Sequence, residues 1–281
     1  MIGPRGATRV VRVARHRENG VNQLRDTVAV EEPLEMRVSW SDAAGCRHVE
    51  PLAVTMRTPG DDFELVAGFL HGEGVVSHMD DIAQLTYCRG AELQKYNVVE
   101  ARLSNGVEFD AERLKRNFYT TSSCGVCGKA SLEAVRDHGC ESVADGFQVQ
   151  SDLLPELPDK LLGEQAVFAR TGGLHGAATF DGSGKLLTVR EDIGRHNAVD
   201  KVLGHAFLNR LLPASERILV LSGRASFELV QKAVIAGVPV LVAVGAPSSL
   251  AVDLASSFNQ TLVGFTRNSG FNVYCGESRL K

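Results

Sequence analysis

The sequence lacks the long apolar run that a membrane-spanning helix needs. Such a helix takes roughly 18 or more consecutive apolar residues, whereas the longest run here, Ala233–Gly245, is interrupted by Gly237 and Pro239. The first residues, Met1–Arg17, carry arginines but no apolar stretch of the kind found in a secretory signal. We therefore expect a protein of the cytoplasm with no membrane partner, whose N-terminal residues form a solvated tail.

An excess of positive charge is also missing. The chain has 30 Lys and Arg against 34 Asp and Glu, a formal net charge of −4. This balance argues against nucleic acid as a partner, although a local basic site for a phosphorylated ligand stays open. The 281 residues, 44% hydrophobic and 23% charged, are typical of a globular protein. They suffice for one large domain or two smaller ones.

A disulfide framework is not expected either. The six cysteines are even in number, but the chain is long and shows no export signal, so reduced thiols are the better interpretation. Four of them stand singly and are predicted to be small buried apolar residues: Cys46, Cys88, Cys140 and Cys275.

The remaining two, Cys124 and Cys127, form a C-x-x-C pair in the segment TTSSCGVCGKAS, between glycines that leave both sulfurs reachable. A helix is predicted over Ala130–Val135. If it begins at Gly128, Cys127 lies at its N-terminus, where free N–H groups and the helix dipole favour a thiolate.

This pair fits three kinds of chemistry. A zinc half-site needs further ligands, but the sequence has no second C-x-x-C, and His175 and His196 are isolated. A thioredoxin-like redox pair follows a strand, which the polar lead-in TTSS does not provide. The third possibility is a persulfide carrier. Inert buried thiols are less compatible with so hydrophilic a frame.

The pattern of apolar residues changes near residue 120 and predicts two domains, 22–119 and 120–281. The first is a smaller, strand-rich α+β domain, with strands over 27–40, 49–57, 98–103 and 107–109 and a helix that starts at Asp61 or Asp62 and ends at Gly72–Gly74. The second alternates strands and helices, which predicts a layered α/β domain. Its strands are predicted over 165–170, 176–180, 185–189, 217–222, 238–244 and 261–266, its helices over 197–212, 227–236 and 248–257, and a surface connection over 151–160.

Glycine-rich or charged loops follow or precede several of these strands. They are ARTGGLHGA with His175, LTVREDIGRHNAVD with Arg190, Arg195 and His196, SGRASFE with Arg224, GAPSSL, and FTRNSGF with Arg267 and Asn268. Ligands of open α/β sheets collect at the carboxyl ends of strands, and helix N-termini bind phosphate. Together these loops predict one anionic-ligand pocket. Neither a Walker A loop nor a Rossmann fingerprint is present in the sequence.

The combination of motifs resembles the FdhD family of formate dehydrogenase accessory sulfurtransferases. The matching stretches, in the family's order, are EEPLEMRV, MRTPGDDFELVAGFLHGEG, SSCGVCGKAS, TGGLHGAA, VREDIGRHNAVDKVLG, LSGRASFELVQKA, GVPVLVAVGAPSSLAVDLA and LVGFTRNSGFNVY. They span the chain from about Val28 to Tyr274. One departure is Asp61, where many relatives carry histidine after TPG. A catalytic role for that position is therefore doubtful, while the sulfur chemistry is untouched.

The resemblance implies a carrier that takes persulfide sulfur from a cysteine desulfurase to the molybdenum bis-guanine-dinucleotide cofactor, Mo-bis(molybdopterin guanine dinucleotide), before its insertion into formate dehydrogenase. It implies that Cys124 bears the persulfide and Cys127 assists. It also implies a cytidine-deaminase-like larger domain, a homodimer and no permanent metal. The implied cofactor-binding residues are Phe265, Thr266, Arg267, Asn268, Ser269 and Gly270.

Two other functions are weighed against this one. A zinc deaminase needs a glutamate two residues after its histidine ligand and a downstream P-C-x-x-C, but Gly176 and Ala177 follow His175 and the C-x-x-C precedes it. A chaperone that holds the cofactor without carrying sulfur fits the pocket loops equally well. The cysteines distinguish it from a carrier.

Overall fold

The computed structural model describes residues 6–18, 20–42, 44–88, 96–107, 109 and 142–281. The first elements are β1 (Thr8–Arg17), β2 (Gly20–Ala29), β3 (Glu32–Ser41), β4 (Arg47–Arg57), α1 (Asp62–Gly72), β5 (Ile82–Tyr87) and β6 (Val98–Leu103). Those after residue 142 are α2 (Leu157–Glu164), α3 (Ala166–Thr171), β7 (His175–Phe180), β8 (Leu186–Asp192), α4 (Arg195–Leu208), β9 (Ile218–Leu221), α5 (Phe227–Ile235), β10 (Val240–Ala243), α6 (Ser249–Ser257), β11 (Thr261–Arg267) and β12 (Gly270–Cys275). Short 3-10 turns cover Met79–Asp81, Ser151–Glu156 and Glu277–Arg279.

A six-stranded sheet in the order β12-β11-β10-β9-β7-β8 forms the larger layer. Its central strands β9 and β10 are apolar at every position because both sheet faces are covered. Leu219 and Leu241 point to the face covered by α4, α5 and α6. Ile218 and Val240 point to the face covered by α2 and the turn before it. The predicted layered α/β class is confirmed, and the likeness to cytidine deaminases stays a prediction.

A four-stranded sheet in the order β4-β3-β6-β5 forms the second layer. The predicted hairpin of β3 and β4 is confirmed as an antiparallel pair. The turn predicted after β6 also forms, with the Val107 N–H donating to the Ser104 carbonyl at 3.3 Å. However, β6 pairs with β3 and β5, and its predicted second arm extends into residues outside the described ranges.

A helix pair joins the two layers. Helix α1 packs on α4 at a crossing so tight that a Cβ at Gly68 would lie 1.9 Å from the Asp200 carbonyl oxygen. A Cβ at Gly204 would lie 1.8 Å from the Glu64 carbonyl oxygen. Only glycine permits such backbone contact. The predicted boundary between residues 119 and 120 lies outside the described residues, so the domain limits stay a prediction.

The predicted strand over Gln165–Arg170 is wrong, because Ala166–Arg170 lie in helix α3 and Gln165 is its N-cap residue. The carboxylate of Glu191 accepts the free N–H groups of Val167 and Phe168, at 2.8 and 2.7 Å, and so caps the first turn of this helix. A short apolar run does not distinguish a strand from a helix by its periodicity, and the capping residue lies more than twenty positions away in the sequence.

Two further expectations are corrected. Ser151–Lys160 is not a surface connection, since Leu154, Leu157 and Leu161 are buried beneath the larger sheet as part of a turn and helix α2. Within the expected N-terminal tail, Thr8–Arg17 is not frayed, because these residues form β1 and pair along their full length with β2 as an antiparallel ribbon.

Several helix predictions agree with the structure. Helix α1 begins at Asp62 and ends at Gly72 as expected, although Asp61 lies at the N-cap position without a capping side-chain hydrogen bond. Helix α5 ends before Gly237, whose φ of +71° is the left-handed conformation expected at that position. Helix α4 stops at Leu208, four residues before the predicted end.

Candidate functional site

The loops predicted to form a pocket meet at one edge of the larger sheet. Strands β9, β10 and β11 are parallel, so their carboxyl ends lie side by side. Strand β7 runs antiparallel to β9, which brings its first residue, His175, to the same edge. Hydrogen bonds join these loops: the Gly176 N–H donates to Ser222 Oγ at 2.8 Å, and the Gly245 N–H donates to the Gly223 carbonyl at 2.9 Å.

A cleft of about 740 Å³ opens at this edge. Four of the six predicted cofactor-binding residues line it: Thr266, Arg267, Asn268 and Ser269. His175 and Ser222 also line it. The other two predicted residues, Phe265 and Gly270, flank the lining stretch in the chain, and the Phe265 side chain is 45% exposed. The volume is that of an ordinary small-molecule site.

The backbone at this stretch is irregular. Phe265 has a φ of +53°, which an aromatic residue rarely adopts. Its N–H donates to the Gly245 carbonyl at 3.1 Å rather than continuing the ladder with β12, and the register between β11 and β12 shifts between Gly264 and Arg267. Non-glycine residues held in this region are concentrated at functional sites. The bulge places Thr266 in the cleft wall.

Two buried polar atoms in the cleft wall lack partners. Thr266 is fully buried and Gln165 is 2% exposed. Neither Thr266 Oγ1 nor Gln165 Nε2 has a hydrogen-bond partner among the described residues. An unpaired buried polar group costs about 1–3 kcal/mol. An ordered water or a ligand group that reaches these atoms would complete their hydrogen bonding.

His175, the first residue of β7, is favoured in its neutral form. Burial lowers the pKa of His175, and the nearby positive charges of Arg195 and His196 lower it further, against the opposing effect of Asp192. The ring lies beside Gly223, where an added Cβ would sit 3.6 Å from His175 Nδ1. A neutral imidazole offers the cleft one hydrogen-bond donor and one acceptor.

Arg190, which the sequence placed in the pocket, instead holds the two layers together. Its guanidinium binds the Glu64 carboxylate with two hydrogen bonds of 2.5 and 2.7 Å. His205 Nδ1 lies 3.0 Å from the same carboxylate. Burial would raise the pKa of Glu64, but these two partners outweigh it and lower that pKa. The prediction of one anionic pocket shared by all the loops is wrong for this residue.

Asp192, from the same loop as Arg190, is also structural. It is fully buried, and Lys201 Nζ lies 2.7 Å from it. The Thr58 N–H and the Asn197 side-chain amide both donate to it. His196, also in that loop, lies 2.8 Å from Glu228.

The cleft also contains residues that sequence reasoning missed. Asp159, Leu162 and Gln165 line it from α2 and the residue after it, and Phe168 lines it from α3. The sequence predicts a surface connection over 151–160 and a strand over 165–170, and neither places these side chains at the cleft. The spacing of Leu154, Leu157 and Leu161 was the available signal, because it matches one face of a helix.

The predicted sulfur site, Cys124 and Cys127, lies outside the described residues, as does the helix predicted over Ala130–Val135. Among the described cysteines, Cys46, Cys88 and Cys275 are free thiols. The expectation that the single cysteines are buried is wrong for Cys46, which is exposed, while Cys88 and Cys275 are partly buried. Cys140 lies outside the described residues. Burial raises the pKa of both Cys88 and Cys275, so these thiols are less reactive than an ordinary cysteine.

In the described part of the chain, no helix combines the length and apolar character of a bilayer crossing. Nor do the described residues contain a group of three or more His, Cys, Asp or Glu side chains arranged to hold a metal ion.

Comparison with known proteins identifies the relatives of this chain. The model of the FdhD/NarQ family matches residues 29–281. The sulfur carrier protein FdhD of Streptomyces coelicolor is 53% identical over 274 residues, which cover 96% of this chain and 94% of the relative. The sulfur carrier protein FdhD of Mycobacterium tuberculosis is 52% identical over 262 residues, covering 91% of this chain and 92% of the relative.

A solved structure shows the same fold. The crystal structure of a protein from Desulfotalea psychrophila, described as a formate dehydrogenase accessory protein, superposes with a TM-score of 0.75. It is 24% identical in sequence and covers 98% of this chain and 100% of that chain.

Proposed function

The chain belongs to the FdhD/NarQ family, and from this premise we propose that it carries persulfide sulfur from a cysteine desulfurase to the molybdenum bis-guanine-dinucleotide cofactor. Formate dehydrogenase then receives the sulfurated cofactor. The proposal places the transfer in the cytoplasm, where thiols stay reduced, and in a homodimer.

The observation that carries the proposal is the cleft at the strand ends. Thr266, Arg267, Asn268 and Ser269, which match the family's cofactor-binding segment, line it together with the unpaired atoms of Gln165 and Thr266. These residues suit a large polar cargo such as a guanine nucleotide arm: apolar walls for a flat ring, buried polar atoms for its edges, and the cation Arg267 for phosphate.

The proposed sulfur chemistry uses the two cysteines of the C-x-x-C pair. The Cys124 thiolate attacks the outer sulfur of the desulfurase persulfide. The donor S–S bond breaks, the desulfurase cysteine leaves as a thiolate, and Cys124 now holds the persulfide. Cys127 then attacks the inner sulfur at Cys124, which forms a disulfide and releases hydrosulfide to the molybdenum of the cargo. A cellular thiol reductant restores the pair.

Replacement of one cysteine tests the proposal. We expect Cys124→Ala to abolish the production of active formate dehydrogenase in cells without their own carrier, while binding of GDP, a probe for the nucleotide arm, is retained. Mass spectrometry of the wild-type protein after incubation with desulfurase and cysteine should show added sulfur on Cys124. The exposed free thiol Cys46 supplies the matched control, Cys46→Ala, which should leave both properties unchanged.

A Cys124→Ala protein that still produces active enzyme would refute sulfur transfer. It would favour a chaperone that only holds the cofactor.

A further inference from the structure

An exposed carboxylate of helix α2 lines the cleft and contacts the turn that follows β11. Asp159 is exposed and lines the cleft. Its Oδ2 accepts a hydrogen bond of 2.6 Å from the Asn268 side-chain amide, while Oδ1 receives none from the described residues. A carboxylate has about four acceptor positions. Asp159 is therefore oriented by Asn268 and still has most of its acceptor capacity free.

The surroundings of this carboxylate suit a planar heterocycle with polar edges. Leu162, Phe168 and Val244 provide apolar walls, against which a flat ring packs favourably. Deeper polar atoms of Gln165 and Thr266 are buried without partners among the described residues. A ligand that places one polar edge at Asp159 and others toward these atoms would satisfy both.

The chemistry of a carboxylate decides which heterocycle it selects. An ionised carboxylate only accepts hydrogen bonds. Guanine presents two N–H donors side by side, at N1 and at its exocyclic N2, whereas adenine presents an acceptor at N1 next to a single amino group at C6 and so lacks a pair of adjacent donors. We propose that Asp159 is the specificity-determining residue that selects guanine in this cleft, by accepting both donors. This inference rests on the proposed function, which places a guanine nucleotide arm there.

A change of one carboxylate to an amide gives a sharp test. Xanthine differs from guanine by a carbonyl oxygen in place of the N2 amino group. The amide of Asp159→Asn can donate to that oxygen and accept from N1–H, whereas it loses one acceptor for guanine. Paired hydrogen bonds to a base edge discriminate by an amount that corresponds to about a 10- to 100-fold change in affinity.

The experiment is calorimetric titration of the full-length chain with GDP, XDP and ADP. We expect the wild-type protein to prefer GDP over both others. We expect Asp159→Asn to bind GDP about 10- to 100-fold more weakly and XDP more tightly by a similar factor. Asp152→Asn is the matched control, because Asp152 is an exposed aspartate in the preceding turn that the cleft lining does not include. It should reproduce the wild-type preference.

The outcomes separate this inference from the proposed function. If the wild-type chain and Asp159→Asn bind GDP equally well and XDP equally poorly, Asp159 does not select the base, and the nucleotide site of the proposed function stands. If the wild-type chain binds neither GDP nor XDP, both the guanine site and its selection by Asp159 are refuted. A thermal melt of each variant confirms that the exposed substitution leaves the fold intact.

Discussion

The glycine crossing between α1 and α4 allows one substitution to test how the two layers are held together. In Gly204→Ala, the new Cβ would lie 1.8 Å from the Glu64 carbonyl oxygen. An ordinary contact begins near 3.4 Å, so the helices must separate by about 1.6 Å or bend. The backbone of α4 fixes the position of this Cβ and the oxygen belongs to the backbone of α1, so no side-chain rotation relieves the clash.

The expected loss of stability follows from that displacement. A gap of 0.5–1 Å already forfeits about a quarter to a half of the dispersion energy of a contact. The same movement stretches the buried hydrogen bond from Lys201 Nζ to the Thr58 carbonyl, now 3.0 Å, beyond useful length. Overpacking typically lowers the free energy of unfolding by about 1–3 kcal/mol. The better helix propensity of alanine offsets about 1 kcal/mol of this loss. The lost hydrogen bond involves a charged group and contributes about 1.5–3 kcal/mol, so we expect a net loss of about 3 kcal/mol.

The measurement is thermal and urea unfolding followed by circular dichroism. A loss of about 3 kcal/mol lowers the Tm of a chain of this size by about 6–12 °C. Gly163→Ala is the matched control, because Gly163 lies in helix α2 and a Cβ there would meet nothing within 4 Å. It should raise stability by about 0.5–1 kcal/mol.

If Gly204→Ala unfolds within about 0.5 kcal/mol of the wild-type protein, the tight crossing does not carry the stability ascribed to it. A loss of similar size in Gly163→Ala would mean that any added methyl group is harmful, and the packing argument would fail.

Two other substitutions test the ion pairs and the cleft. The pKa of Glu64 is lower in the folded protein than in the unfolded chain, so its ion pairs stabilise the fold above the unfolded pKa, and this stability is lost as pH falls through the folded pKa. Glu64→Gln should therefore have a lower free energy of unfolding at pH 7 and lose less of it on acidification below about pH 4.5. Urea unfolding across pH measures this, and parallel pH curves for the two proteins would contradict it. Thr266→Val removes a buried hydroxyl that has no partner among the described residues. The free energy of unfolding of the ligand-free protein should therefore rise by about 1 kcal/mol, while its affinity for GDP falls. A less stable variant with unchanged GDP affinity would show that the hydroxyl stabilises the fold and does not bind a ligand.

Local patterns were sufficient for most of the larger sheet. The apolar runs at Ile218–Leu221 and Val240–Ala243 are buried on both faces. The turn residues that flank them predict where each strand ends. The loops at those ends converge because parallel strands present their carboxyl ends at one edge. The sequence therefore predicted that these loops meet at one edge, where a cleft opens that is lined by four of the six predicted cofactor-binding residues and by His175.

The tertiary structure decided the features that depend on distant partners. Helix α3 is capped by Glu191, which lies more than twenty residues later in the chain. Arg190 is bound by Glu64 from the other layer, and nothing in its own loop distinguishes such a structural arginine from a ligand-binding one. Asp159 reaches the cleft only because α2 packs across the sheet and meets Asn268. Charge and hydrogen bonding act through space, so residue types and spacing can identify the groups able to do chemistry, whereas the fold determines which of them remain free for a ligand.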